Sequence, residues 1–146
     1  MTTTSNMNTT GLQQTDDLKA LGKQISDTRK PLLLMFSQHH CPFCKKLKSE
    51  VLEPMLKNPK YRQRIFIREL MIDFGSNLTD FSGKPTTGID LFELYGMVVT
   101  PTIILVDGAG KEIAKRQTGV NTVEMYGWYL DQAIDEAVSR ISGRAY

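Results

Sequence analysis

Apolar residues recur first at helical spacing and then as an unbroken run. Leu18, Leu21 and Ile25 stand at i, i+3 and i+7, the stripe of an amphipathic helix. Thr15 is placed to cap that helix, with Asp16 and Asp17 favourable in its first turn, and the pattern stops before Pro31. Leu32 to Phe36 is continuously apolar, which suits a strand buried on both faces. Helical spacing returns with Cys44, Leu47, Val51 and Met55. Pro42 fits the first position of this second helix, and Pro54 is expected to kink or interrupt it. Ile65 to Asp73 reads as a strand with Phe66, Leu70 and Ile72 on one face. Residues 74–88 are rich in Gly, Ser, Thr and Pro, with room for a small hairpin of 78–81 and 85–87 around Ser82-Gly83-Lys84. A short helix fits Ile89 to Tyr95. Thr102 to Val106 is a strand that turns at Asp107-Gly108-Ala109-Gly110 and returns through Glu112 to Arg116. Asn121-x-x-Glu124 reads as a capping box, followed by the stripe Val123, Tyr126, Leu130, Ile134 and Ile141 of a last helix.

Strands separated by helices need crossovers and pair in parallel, while the final hairpin adds antiparallel strands. The expected architecture is an α/β domain: a mixed sheet of four to five strands with helices on both faces. The 146 residues suit one domain, placed at 15–146 with an insert at 74–88. Residues 1–14, dominated by Thr, Ser, Asn and Gln, read as a disordered leader or spacer of the kind that follows a removed signal or anchor. The net charge of +2 gives no support for nucleic-acid binding, and no apolar run approaches a membrane span.

The chemistry is concentrated in Cys41-Pro42-Phe43-Cys44, which holds both cysteines of the chain. A disulfide across so short a loop contributes little as a staple, so a redox or a metal role remains. The pair follows a buried strand and opens a helix. There Cys41 is expected to be exposed, facing the unpaired N–H groups and positive end of the helix, both of which favour the thiolate. Cys44, one turn in, is expected on the core face within disulfide reach, so that one thiol attacks and the other resolves. His39 and His40 precede the pair. His40 is a titratable neighbour that would further stabilise the Cys41 thiolate, and His39 reads as a solvated loop residue. Two His and two Cys this close in sequence cannot easily surround a metal tetrahedrally, so no resident metal is expected. Lys45, Lys46 and Lys48 read as the solvated helix face.

With these residues in view, the chain resembles a thioredoxin-fold thiol–disulfide oxidoreductase. The likeness rests on Phe36-x-x-x-x-Cys41-Pro42-Phe43-Cys44-Lys45 and on Val99-Thr100-Pro101-Thr102, and covers about residues 31–137. Within that family it is similar to periplasmic thioredoxins of the sulphur-oxidation (SoxW-like) type. The points of contact are Asp80-Phe81-x-Gly83, Leu91-x-x-x-Tyr95, Gly110-Lys111-Glu112 and Gly119. The resemblance implies a thioredoxin fold with the insert before its third core helix, and a cis peptide before Pro101 opposite the cysteines. It further implies Thr100 and Pro101 as substrate-docking residues, with Pro42 and Phe43 shaping the site. Thioredoxins proper carry Trp and Gly-Pro where His40 and Pro42-Phe43 stand here, and a buried Asp where this chain has Met35. Glu69, on the neighbouring strand, is the candidate general base in its place.

The expected function is exchange of a Cys41–Cys44 dithiol with partner-protein disulfides, as a reductant in the bacterial cell envelope, with a cytoplasmic location as the alternative. An upstream thiol donor, membrane-bound or not, would re-reduce the pair. No cofactor and no nucleic acid are expected, and the chain is expected to act as a monomer. Two rivals stay open: a glutaredoxin-like, glutathione-dependent reductase and a non-catalytic metal-binding protein of the same fold.

Overall fold

The computed structural model describes residues 12–119 and 123–143. Helix α1 (Leu18–Thr28) leads into strand β1 (Leu32–Ser37). Helix α2 (Pro42–Leu47), a π-helical turn (Lys48–Leu52) and helix α3 (Glu53–Leu56) run on without a break, followed by α4 (Pro59–Arg64). Then come β2 (Phe66–Met71), the hairpin β3 (Asn77–Thr79) and β4 (Pro85–Thr87), α5 (Gly88–Leu94), β5 (Thr102–Val106), β6 (Gln117–Thr118) and α6 (Val123–Ser142).

Four strands form one sheet in the order β2-β1-β5-β6, and β3 pairs with β4 alone. β1 and β2 are parallel, with Met35 beside Glu69 and Ser37 beside Met71. β5 runs antiparallel to β1, with Leu32 beside Val106 and Phe36 beside Thr102. Every residue of β1 and β5 is buried, so both faces of this central pair are covered. This is the expected mixed sheet, at its lower strand count.

Several elements depart from the sequence reading, each for a local reason. The cap of α1 is Asp17, which accepts the N–H of Ala20, and not Thr15. Thr15 instead gives its N–H to Glu69 O, and Glu69 N–H goes to Gln13 O. Described pairing therefore begins at Gln13, before the expected boundary at Thr15, because the outer edge of β2 offers backbone groups that need partners. At Pro54 the α-helical run is interrupted, as expected, though by a π turn and not by an end of the helix. Pro54 has no N–H for a carbonyl four residues back, and the π turn just before it absorbs the mismatch, with Glu53 N–H bonding Lys48 O. The return strand of the last hairpin is not 112–116. Only Glu112 bridges back to Val106, Ile113 and Ala114 turn into the core, and pairing with Thr102 and Ile103 resumes at Gln117 and Thr118. The stripe of α6 is buried at Tyr126, Leu130, Ile134 and Ile141. Asn121 of the expected capping box lies outside the described residues.

Candidate active site

β1 ends at Ser37, the chain loops through Gln38, His39 and His40, and α2 starts at Pro42 with Cys41 as its cap. Cys41 has extended backbone angles, and its sulfur accepts the N–H of Cys44 at 3.2 Å. That N–H is one of the donors a helix start leaves unpaired, so the sulfur sits where partial positive charge is concentrated. Cys41 and Cys44 form a disulfide, with Cα atoms 5.2 Å apart.

Cys41 is more recessed than the sequence suggests: 8% exposed, against 1% for Cys44. Its cover comes from 59 residues away, where Thr100 O lies 4.0 Å and Thr100 Oγ1 3.7 Å from the Cys41 sulfur. The Thr100–Pro101 peptide is cis. The Thr100 hydroxyl donates to Gln38 Oε1 at 2.8 Å, and Pro101 O accepts from Gly119 N at 2.8 Å, so this turn is tied to both neighbouring segments. Pro42 is exposed, and Phe43 is 58% exposed.

His39 is not a free loop residue. Its backbone N–H donates to Asp73 Oδ2 at 2.9 Å, and its Nδ1 meets Asp73 Oδ1 at 2.8 Å. Desolvation pushes the Asp73 carboxyl up, but the hydrogen bonds and charge of His39 outweigh it and hold the group below its ordinary value. His40 is exposed and stands edge-on to Phe74, 6.3 Å between ring centres. Among the hydrogen bonds of the described residues, none joins His40 to either sulfur.

Glu69 is 3% exposed. Its Oε2 pairs with Lys48 Nζ at 2.8 Å and accepts the Ser37 hydroxyl at 2.5 Å. Arg68 bonds its own strand's backbone at Ile67 O instead. Lys48 is thus no part of a solvated face. It follows Cys44 by four residues, so both project from one side of the helix. Ser37, Lys48, Asp73 and Phe74 were missed from sequence. Only Lys48 carried a signal, its i+4 spacing from Cys44. Among the described residues, no group of three or more His, Cys, Asp or Glu side chains converges as a metal site would require. None of their helices is long and apolar enough to cross a membrane.

The sequence profile of the thioredoxin-like domain matches residues 18–134. No curated protein sequence matches the chain. Among solved structures, the chain is similar to a thioredoxin from Thermus thermophilus, with 19% identity and a TM-score of 0.59, covering 93% of this chain and 97% of that one. It is similar to thioredoxin F from spinach chloroplast, with 17% identity and a TM-score of 0.59, covering 87% and 93%. A DsbH oxidoreductase matches with 16% identity and a TM-score of 0.56, covering 92% of each chain. At these identities the structural likeness speaks for the fold.

Proposed function

Because this chain belongs to the thioredoxin-like domain family and is a thiol–disulfide oxidoreductase, we propose that Cys41 and Cys44 exchange their dithiol with disulfides of partner proteins. The observation that carries this reading is the Cys41 sulfur on the Cys44 N–H at a helix start, beside the Thr100 backbone. In the reduced protein the Cys41 thiolate attacks one sulfur of the substrate disulfide. That bond breaks, a mixed disulfide forms, and the leaving sulfur departs as a thiolate. Cys44 then loses its proton and attacks the Cys41 sulfur. The second substrate thiolate leaves, and the Cys41–Cys44 disulfide forms. An upstream dithiol donor re-reduces the pair by two exchanges: one donor thiolate attacks the Cys41 sulfur and frees Cys44, and the second donor thiol attacks its partner sulfur, frees Cys41 and leaves the donor as a disulfide.

The backbone of Thr100 and the ring of Pro101 form the docking edge, where an extended substrate segment pairs briefly as an added strand. Pro42 and Phe43 shape the approach, with the exposed ring of His40 beside it. Glu69 is the proton acceptor for Cys44. One feature supports this role: Lys48, one helical turn after Cys44, pairs with Glu69.

The protein acts as a monomeric reductant in the bacterial cell envelope rather than the cytoplasm, in the manner of the sulphur-oxidation type, with a working domain that includes the pairing of Gln13 on the β2 edge. One packing detail supports that subtype. A Cβ on Gly110 would collide with the Phe81 ring, and Asp80 closes the turn through Gly83. The resembling stretches Asp80-Phe81-x-Gly83 and Gly110-Lys111-Glu112 are therefore one packed unit.

The test compares turnover of a polypeptide disulfide such as insulin with turnover of a glutathione mixed disulfide, under a chemical dithiol. Turnover of insulin alone is expected, and glutathione-dependent turnover alone would replace this reading with the glutaredoxin-like one. In the same assay Glu69→Gln should slow resolution of the mixed disulfide and leave the first attack nearly unchanged. Equal rates for both steps in the variant would return Glu69 to a structural role.

A further inference from the structure

The chain leaves β2 through Ile72, Asp73, Phe74 and Gly75, and this corner presses on the redox loop. Asp73 holds His39 by backbone and ring. The Phe74 ring lies against the His39 ring, 4.4 Å between centres at a tilt of 36°. Yet Phe74 is 72% exposed, so this contact buries little of it.

Its backbone sharpens the point. Phe74 has φ +58 and Gly75 φ +64. The left-handed region is ordinary for glycine and tolerated by asparagine, but rare for a bulky side chain. An exposed aromatic ring in that conformation gains the fold little, which points to a use at the surface. That surface adjoins the loop that leads into Cys41. Phe74 stacks on the residue two before it, Phe43 stands two after it, and Val98 and Val99 immediately precede Thr100. Phe43, Val98 and Val99 are 58%, 87% and 41% exposed. These exposed apolar side chains come from three segments: the helix start that holds Cys41, the corner stacked on His39, and the two residues before Thr100, which meets the Cys41 sulfur.

We propose that Phe74 is a specificity-determining residue for the exchange: its ring, seated by the His39–Asp73 pair, contacts an apolar side chain next to the reacting cysteine of an extended polypeptide. The inference rests on the protein-disulfide reading above and adds the substrate feature selected. A small aliphatic disulfide has no such side chain, so it reaches Cys41 without using the ring.

The experiment follows kcat and KM of Phe74→Ala, Phe74→Asn and Phe74→Tyr on insulin and on hydroxyethyl disulfide. For Ala and Asn, kcat/KM on insulin should fall about fivefold to tenfold, the scale of one aromatic contact, mostly through KM. Their kcat/KM on hydroxyethyl disulfide should not change, and Phe74→Tyr should restore insulin turnover. Asn suits the left-handed backbone, which keeps the fold out of the comparison. Unchanged insulin kinetics in Ala and Asn would overturn the proposal, as would equal losses on both substrates. A wild-type protein that turns over hydroxyethyl disulfide but not insulin would overturn the protein-disulfide reading instead.

Discussion

The two ends of the β1–β5 pair are built on opposite plans. Where β5 leaves the sheet next to Leu32, Asp107 Oδ1 accepts the N–H groups of Ala109 and Lys111, and Asp107 N–H reaches Lys111 O. The insert turn beside it repeats the device, with Asp80 Oδ1 taking the N–H groups of Ser82 and Lys84. Glycines 22, 108 and 110 let backbone and the Phe81 ring close at this end. At the other end, next to Phe36 and Thr102, Phe43, Phe74, Val98 and Val99 face water, and the Thr100 carbonyl is turned toward a sulfur. One end satisfies its polar groups within itself. The other leaves apolar side chains exposed and carries the backbone edge proposed above to dock substrate.

The contrast breaks most sharply at Gly22. A Cβ there would sit well inside contact distance of the Gly108 carbonyl oxygen, which is backbone and has little freedom to yield. Helix propensity alone would favour Gly22→Ala by about 1 kcal/mol. Overpacking should reverse that sign and cost about 1–3 kcal/mol in denaturant unfolding. Exchange rates per folded molecule should be unchanged, since the clash lies at the closed end. A variant more stable than the wild type would contradict the close packing described here.

A smaller effect is expected in acid. The Asp80 carboxyl is held below its ordinary value by the Lys84 N–H first, then by the Ser82 hydroxyl and backbone N–H groups. Asp73 is held below by His39 despite desolvation. A carboxyl with a lowered folded-state pKa contributes stability that is present above the unfolded value of about 3.9 and is lost as pH falls through the folded value. The thermal midpoint should therefore drop below about pH 4, and Asp80→Asn should flatten part of that drop. Asp80→Asn should leave exchange rates at neutral pH alone. A slowed exchange in that variant would show that the two ends are coupled.

What could be read from sequence was local. The strand Leu32 to Phe36, the Cys pair at a helix start and the hairpin within 74–88 are each set by a few consecutive residue types, whereas the cis turn at Pro101 came with the family resemblance. What escaped depends on distant partners. Cys41 is recessed because Thr100 arrives from 59 residues away. His39 is held by Asp73, 34 residues on. Lys48, assigned to a solvated face by its charge, reaches inward to Glu69 at the first residue of a π turn that no periodicity signals. The misplaced return strand has a similar cause. The turn at 107–110 implies an immediate return strand, yet Ile113 and Ala114 fill the core between two short stretches of pairing.

In the proposed exchange on a polypeptide disulfide, Cys41 attacks and Cys44 resolves. This is tested most directly by mixing reduced Cys44→Ser and Cys41→Ser proteins separately with insulin and weighing the covalent products. A mixed disulfide through Cys41 should accumulate with Cys44→Ser, and none should form with Cys41→Ser. A complex formed through Cys44, or none from either variant, would contradict the account.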